Sequence, residues 1–194
     1  MKKRRTKKIF FLLISLFLLS VFGLSGCGKG ETKDIVSEAG EQVADKKIEE
    51  SLSGTKLLFE VPKSFVIDEA VQGLYYSDEY AEDMACIYYQ EKETDEKFSL
   101  LTEDTIEELM QEAYFQMYGI ETTVDVSDFH RFNLDGYEAY RLETEFEVNE
   151  AVLSVIEYIV VVGDRQCSLT YMQKQNAGWE AAFTYSAENI EIRE

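Results

Sequence analysis

Three two-residue turn signals fall fourteen residues apart toward the end of this chain: Asp135-Gly136, Asn149-Glu150 and Gly163-Asp164. The runs around them, TTVDVSDFHRFNL, YEAYRLETEFEV, AVLSVIEYIVVVG and RQCSLTYMQ, are rich in β-branched and aromatic residues. A two-residue loop can join only neighbouring strands that run in opposite directions. The spacing therefore predicts an antiparallel meander of long strands. Alternating Glu and Arg in EAYRLETEFE predict that one of its faces is partly wet.

A meander with one apolar face needs a second layer. Between residues 102 and 118 the apolar residues Ile106, Leu109, Met110, Ala113 and Met117 recur at steps of three and four, with Thr102 or Asp104 available as cap and Gly119 as the stop. These features predict an amphipathic helix of about four turns whose stripe faces the core. NAGWEAAFTYSAENI places Trp179, Ala182, Phe183, Ser186 and Ile190 on one face of a closing helix. Upstream, KLLFEVP reads as a first strand stopped by Pro62, and LYYSD and DMACIYYQE read as further strands around an acidic loop, SDEYAED.

The beginning of the chain has a different logic. Six basic residues between Lys2 and Lys8 precede an apolar run, Ile9 to Phe22, interrupted only by Ser15 and Ser20. As a helix the run reaches ~21 Å, short of the ~30 Å hydrocarbon core of a bilayer. It reads as a signal segment, residues 1–26, and is set aside from fold reasoning. Leu24-Ser25-Gly26-Cys27 then resembles the bacterial lipobox, which implies that the Cys27 thiol receives a diacylglyceryl group and becomes the new N-terminus. Such an anchor holds through its buried methylenes, each worth ~0.8 kcal/mol, and two or more chains hold where one does not. The competing readings are an ordinary signal peptide with a chance cysteine and an uncleaved anchor helix.

Residues 27–53 are polar and lack aromatic residues, so they read as the lipidated cysteine and a flexible tether, with weak helical spacing around Ile35 to Ile48. The folded domain is expected over residues 54–194.

Removing residues 1–26 takes away six of 19 basic residues and none of the 38 acidic ones, which leaves 13 against 38 and a formal charge of −25. That balance excludes phosphate-neutralising nucleic-acid binding and predicts repulsion from anionic headgroups. Membrane contact is thus expected through lipid alone. Cys86 and Cys167 lie in apolar alternating runs and read either as a disulfide or as separate core residues. His130 is the only histidine, so no Cys/His zinc spacing exists.

The order of these elements resembles the fold of the PsbP subunit of photosystem II and the yeast Ran-release factor. The resemblance rests on Phe59, Val61, Pro62 and Phe65, on Gly136 and Ala139, and on Trp179, Phe183, Ser186 and Ile190. It implies an α+β fold, an α/β/α sandwich with a mainly antiparallel twisted sheet flanked by helices; a cystatin-like sheet and helix is the alternative. It also implies action by binding, with no catalytic residues and no cofactor to carry across.

The residues agree with that implication. His130 sits between aromatic residues in a strand, and no nucleophile elbow, phosphate loop or HExxH motif is present. The loops SDEYAED and EKETDEK offer carboxylates to a divalent cation without EF-hand spacing. Tyr75, Tyr76 and Tyr80 form an aromatic group that reads as core or as a stacking surface. The expectation is a lipid-anchored extracytoplasmic scaffold for an envelope protein partner. The alternative is a small-ligand or cation-binding lipoprotein with a pocket between sheet and helix, lined by Tyr75, Tyr88 or Trp179.

Overall fold

A computed structural model describes residues 44–94, 102–118, 123–148 and 150–194. The predicted meander is its centre. Strands β6 (Val124–Leu134), β7 (Tyr137–Val148), β8 (Ala151–Val162) and β9 (Arg165–Lys174) run antiparallel and in sequence order. At the first turn Asp135 and Gly136 both have positive φ, 51° and 94°, the backbone that a two-residue hairpin matched to strand twist requires. Beyond β9 the sheet continues through β5 (Cys86–Glu93), β4 (Leu74–Tyr76) and β3 (Val66–Ile67), giving seven strands in the order β3-β4-β5-β9-β8-β7-β6.

One face of this sheet is covered by a second sheet and a helix. Strand β2 (Thr55–Pro62) lies between β1 (Ala44–Leu52) and β10 (Glu191–Arg193). Its Leu57, Phe59 and Val61 are buried against Tyr75, Ile87, Tyr89, Leu169 and Tyr171 of the large sheet. A short helix α1 (Tyr80–Asp83) follows β4. A longer one, α2 (Glu103–Tyr118), lies over the opposite face of the large sheet. The closing helix α3 (Glu180–Glu188) buries Ala182, Phe183 and Ser186 beside the small sheet.

The residues that carried the family resemblance form a clamp there. Phe65 packs edge-on to Trp179 at 4.8 Å and to Phe183 at 6.1 Å. Ser186 donates to the carbonyl of Glu60, and its oxygen lies 3.0 Å from the Tyr171 hydroxyl. One serine thus ties α3 to both sheets.

On the second face, Ile106, Leu109 and Met110 of α2 pack with Val124, Leu142, Phe146, Leu153, Val155 and Met172. The helix starts as predicted at Thr102, whose hydroxyl accepts from the Thr105 amide at 3.4 Å. The side chains of Ala113 and Met117, and the stop at Gly119, lie outside the described residues.

One sequence expectation changes, and one open alternative is decided. The tether was placed over residues 27–53, yet Ala44–Leu52 is a strand paired along its length with β2. Leu52 is fully buried and Ile48 packs on the core. An edge strand with one solvated face needs few apolar anchors, so its polar composition imitates a linker. The cysteines do not pair. Both are free, and they belong to clusters on opposite faces of the large sheet, Cys86 with α2 and Cys167 with β2 and α3. Burial pushes both thiols up to about 12.

Candidate functional site

The structure disperses most of the residues singled out from sequence. Cys27 and the lipobox lie outside the described residues, as does the part of EKETDEK beyond Thr94. Glu91, at the start of that segment, pairs with Arg165 at 2.8 Å. In the acidic loop Asp83 turns inward. It accepts from the Ser77 hydroxyl at 2.6 and 2.7 Å, from the Ala85 amide at 2.9 Å and from the Trp179 indole at 2.8 Å. This carboxylate fixes the loop to the start of α3, whereas Asp78, Glu79 and Glu82 face solvent. Among the described residues no group of three or more His, Cys, Asp or Glu side chains is placed to hold a metal ion.

Of the tyrosines, Tyr75 is core, edge-on to Phe59, and Tyr76 and Tyr80 are half-buried against each other at 5.8 Å. His130 is half-exposed on β6, with Nδ1 3.0 Å from Asp128. Asp128 also binds Arg141, which reaches Glu143 and stacks over Tyr158. The charges at Asp128 are therefore spent within an ion-pair network that bridges β6 to β8. Its hydrogen bonds from His130 and Arg141 hold the Asp128 carboxyl below the usual range, although partial burial opposes them.

A different set of residues converges on the face beneath α2. On β9, Gln166, Ser168 and Thr170 alternate with Cys167, Leu169 and Tyr171, and the period of two puts the first three on the α2 side. Register places Tyr88, Gln90 and Lys92 of β5 opposite them. On the other flank of β9, Glu157 of β8 lies beside Thr170, and Thr144 of β7 lies opposite the neighbouring Val155. These residues form a polar stripe across the central strands of the sheet.

The stripe is buried where it crosses β9, β8 and β7. Gln166 and Ser168 are 0% exposed, Glu157 and Thr144 2% and Thr170 4%. Among the described residues, the hydroxyls of Thr144, Ser168 and Thr170 have no hydrogen-bond partner. Buried hydroxyls are ordinarily satisfied, so three on one face are unusual. Tyr88, Gln90 and Lys92, on β5, are only half-buried.

Electrostatics match the burial. Loss of water raises the Glu157 carboxyl to about 7, against a partial opposing pull from the Lys92 ammonium. Burial in turn lowers Lys92, and Glu157 partly restores it. Near neutral pH the stripe can therefore hold a carboxyl that donates or accepts, an ammonium and several hydroxyls. Sequence reading missed this site because period-two polarity in a strand ordinarily marks a solvent face. Its signal was Glu157, the only ionisable carboxylate in AVLSVIEYIVVVG.

No protein-family model matches the chain. No curated protein matches it in sequence. Solved structures do match its fold. The cyanobacterial PsbP protein of Synechocystis sp., CyanoP, superposes with a TM-score of 0.56 at 12% identity, over 87% of this chain and 98% of that one. LpqN of Mycobacterium tuberculosis, described as involved in cell envelope biogenesis, superposes with a TM-score of 0.51 at 12% identity, over 77% of this chain and 91% of its own. The α+β sandwich of this chain has the PsbP-like fold.

Proposed function

We propose that this chain is a non-catalytic binding lipoprotein, held at the extracytoplasmic face of the cell membrane by lipid on Cys27, and that its domain takes a small ligand between the large sheet and α2. The observation that carries the ligand site is the set of unpartnered hydroxyls on Thr144, Ser168 and Thr170 beside the buried Glu157. Buried polar groups are ordinarily satisfied, and a ligand that brings its own donors and acceptors would satisfy these. The basic leader, the apolar run and the lipobox support the location. So does the fold shared with LpqN, whose description places it in envelope biogenesis.

The absence of catalysis is part of the proposal. It is supported by the two buried thiols, driven toward the inert protonated form, and by a histidine whose partner is a carboxylate in an ion-pair network. A second reading, a scaffold for an envelope protein, is favoured by the exposed Asp78, Glu79 and Glu82 around the anchored loop. Membrane confinement would raise the effective concentration for such a weak interface.

Two measurements test this. Labelled fatty acid should enter the wild-type protein and not Cys27→Ala; equal labelling removes the anchor. Native mass spectrometry of the lipidated protein, extracted from its own membranes, should show a bound small molecule that is lost in Thr170→Val. A crosslinked near-stoichiometric protein, with no small molecule, would instead establish the scaffold.

A further inference from the structure

The two sheets have four edge strands among the described residues, β1 and β10 in the small sheet and β3 and β6 in the large one. An open edge invites pairing with another chain, and proteins blunt it with charge or irregular register. Strands β1 and β6 are rich in charged residues and each has a register shift, and β10 carries the Glu191–Arg193 ion pair. Strand β3 has neither charge nor shift. Its Val66 and Ile67 are 45% and 53% exposed, the most open large apolar side chains among the described residues. The Asp68 amide donates to the Leu74 carbonyl at 2.9 Å, so these two form a hydrogen-bonded pair and the next pair, Ile67 and Tyr75, a non-bonded one. The N–H and C=O of Ile67 therefore point away from β4, into the open edge.

We infer that β3 takes, as an eighth strand of the large sheet, an extended segment of an envelope protein in which a short apolar centre is flanked by lysine or arginine. This inference rests on the scaffold reading above, to which it adds the surface and the chemistry of the partner. Charge selects the occupant. From Lys63 to Asp83 one basic residue stands against six acidic ones. Exposed Glu69 follows Ile67, and exposed Asp78 and Glu79 follow Tyr76, which pairs with Val66, so carboxylates lie off both ends of the apolar edge. A second copy would bring the same carboxylates against them, and anionic headgroups would be repelled. The path of the chain gives a second argument. Ala44, at the start of β1, pairs with Pro62, four residues ahead of Val66, so the edge lies at the end of the domain where the chain arrives from Cys27. A lipid on Cys27 confines that end near other membrane proteins, which offsets the few hydrogen bonds that a two-residue strand can make.

The test uses the full lipidated chain in detergent micelles, with the synthetic peptides KKVIVKK and EEVIVEE as probes and hydrogen exchange at the Ile67 amide as the readout. In the free protein this amide should exchange freely. The basic peptide should bind saturably and slow it roughly tenfold or more, and the acidic peptide should not. Ile67→Pro removes the outward N–H at a position where an edge strand tolerates proline, so it should weaken the basic peptide roughly tenfold or more with an unchanged unfolding midpoint. Ile67→Lys, which places a charge on the edge, should do the same and stands in if the proline variant unfolds. Equal binding to wild type and both variants is attraction to the acidic surface at large, and it overturns the edge. Slowing of the Ile67 amide without peptide, by higher protein concentration or by transfer to anionic vesicles, assigns the edge to a second copy or to the membrane and overturns the partner. In native membranes, a near-stoichiometric crosslinked protein that is retained in Ile67→Pro overturns the edge and leaves the scaffold reading standing. No crosslinked protein at all overturns both.

Discussion

Replacing Thr170 by Val should make this protein more stable, although the residue is 4% exposed and sits in the middle strand of the large sheet. Ordinarily such a change removes a buried hydrogen bond. Here the hydroxyl has no partner among the described residues, so the folded state carries its desolvation cost, about 1–3 kcal/mol, without return. Valine keeps the β-branch and the volume, leaves no cavity and retains strand propensity. The expected gain is on the order of 1 kcal/mol, or about 2–4 °C in the melting temperature for a domain of this size. Ser186→Ala is the matching control. That hydroxyl is also fully buried, but it donates to Glu60 and bonds with Tyr171, so its loss should destabilise by about 1–3 kcal/mol. Urea unfolding of the two variants should therefore move in opposite directions with unchanged m-values. A loss of more than about 1 kcal/mol in Thr170→Val would show that the hydroxyl is bonded in the folded protein, and the argument for the stripe would fail with it.

Glu157 binds its proton more tightly when folded, about 7 against 4.5, so the folded state is favoured at low pH and loses stability as pH rises from about 4.5 to about 7. The loss is on the order of 3 kcal/mol; in Glu157→Gln this part of the pH dependence should vanish, and parallel curves for both proteins would refute the burial argument. Leu52→Ala should cost about 2–5 kcal/mol, because Leu52 is wholly buried, whereas a residue in a tether would cost nothing measurable in the same denaturation assay. Asp83→Ala should cost about 3 kcal/mol through three orphaned donors and red-shift the emission of Trp179, the only tryptophan; added calcium should not restore either. Rescue by calcium would return the acidic loop to the cation reading.

The legible parts of this fold were those in which local and global demands coincide. The turns at Asp135-Gly136 and Gly163-Asp164 have the backbone their residues prefer, and the strands between them bury alternate residues. In α3, spacing alone located Ala182, Phe183 and Ser186 on the buried face. Strand β1 was missed because its composition is that of a linker, even though Ser53-Gly54 is a turn signal, and both residues adopt positive φ, 48° and 87°, to close its hairpin with β2. Ile48 and Leu52, four residues apart, were its only apolar anchors, too few to outweigh the charges around them.

Sequence by itself determined the antiparallel meander, the two amphipathic helices and the acidic character of the domain, because turn chemistry, periodicity and charge act over a few residues at a time. Tertiary structure decided which polar positions see water. Gln166, Ser168 and Thr170 have the alternation of a solvent face, but β5 and β8 flank β9 on either side and place that face at the sheet's centre. It equally decided that Asp83 is a structural link and Tyr75 a core residue. Burial depends on which strands become neighbours, and contacts between residues as distant as Tyr88 and Thr170 are set by register across the sheet.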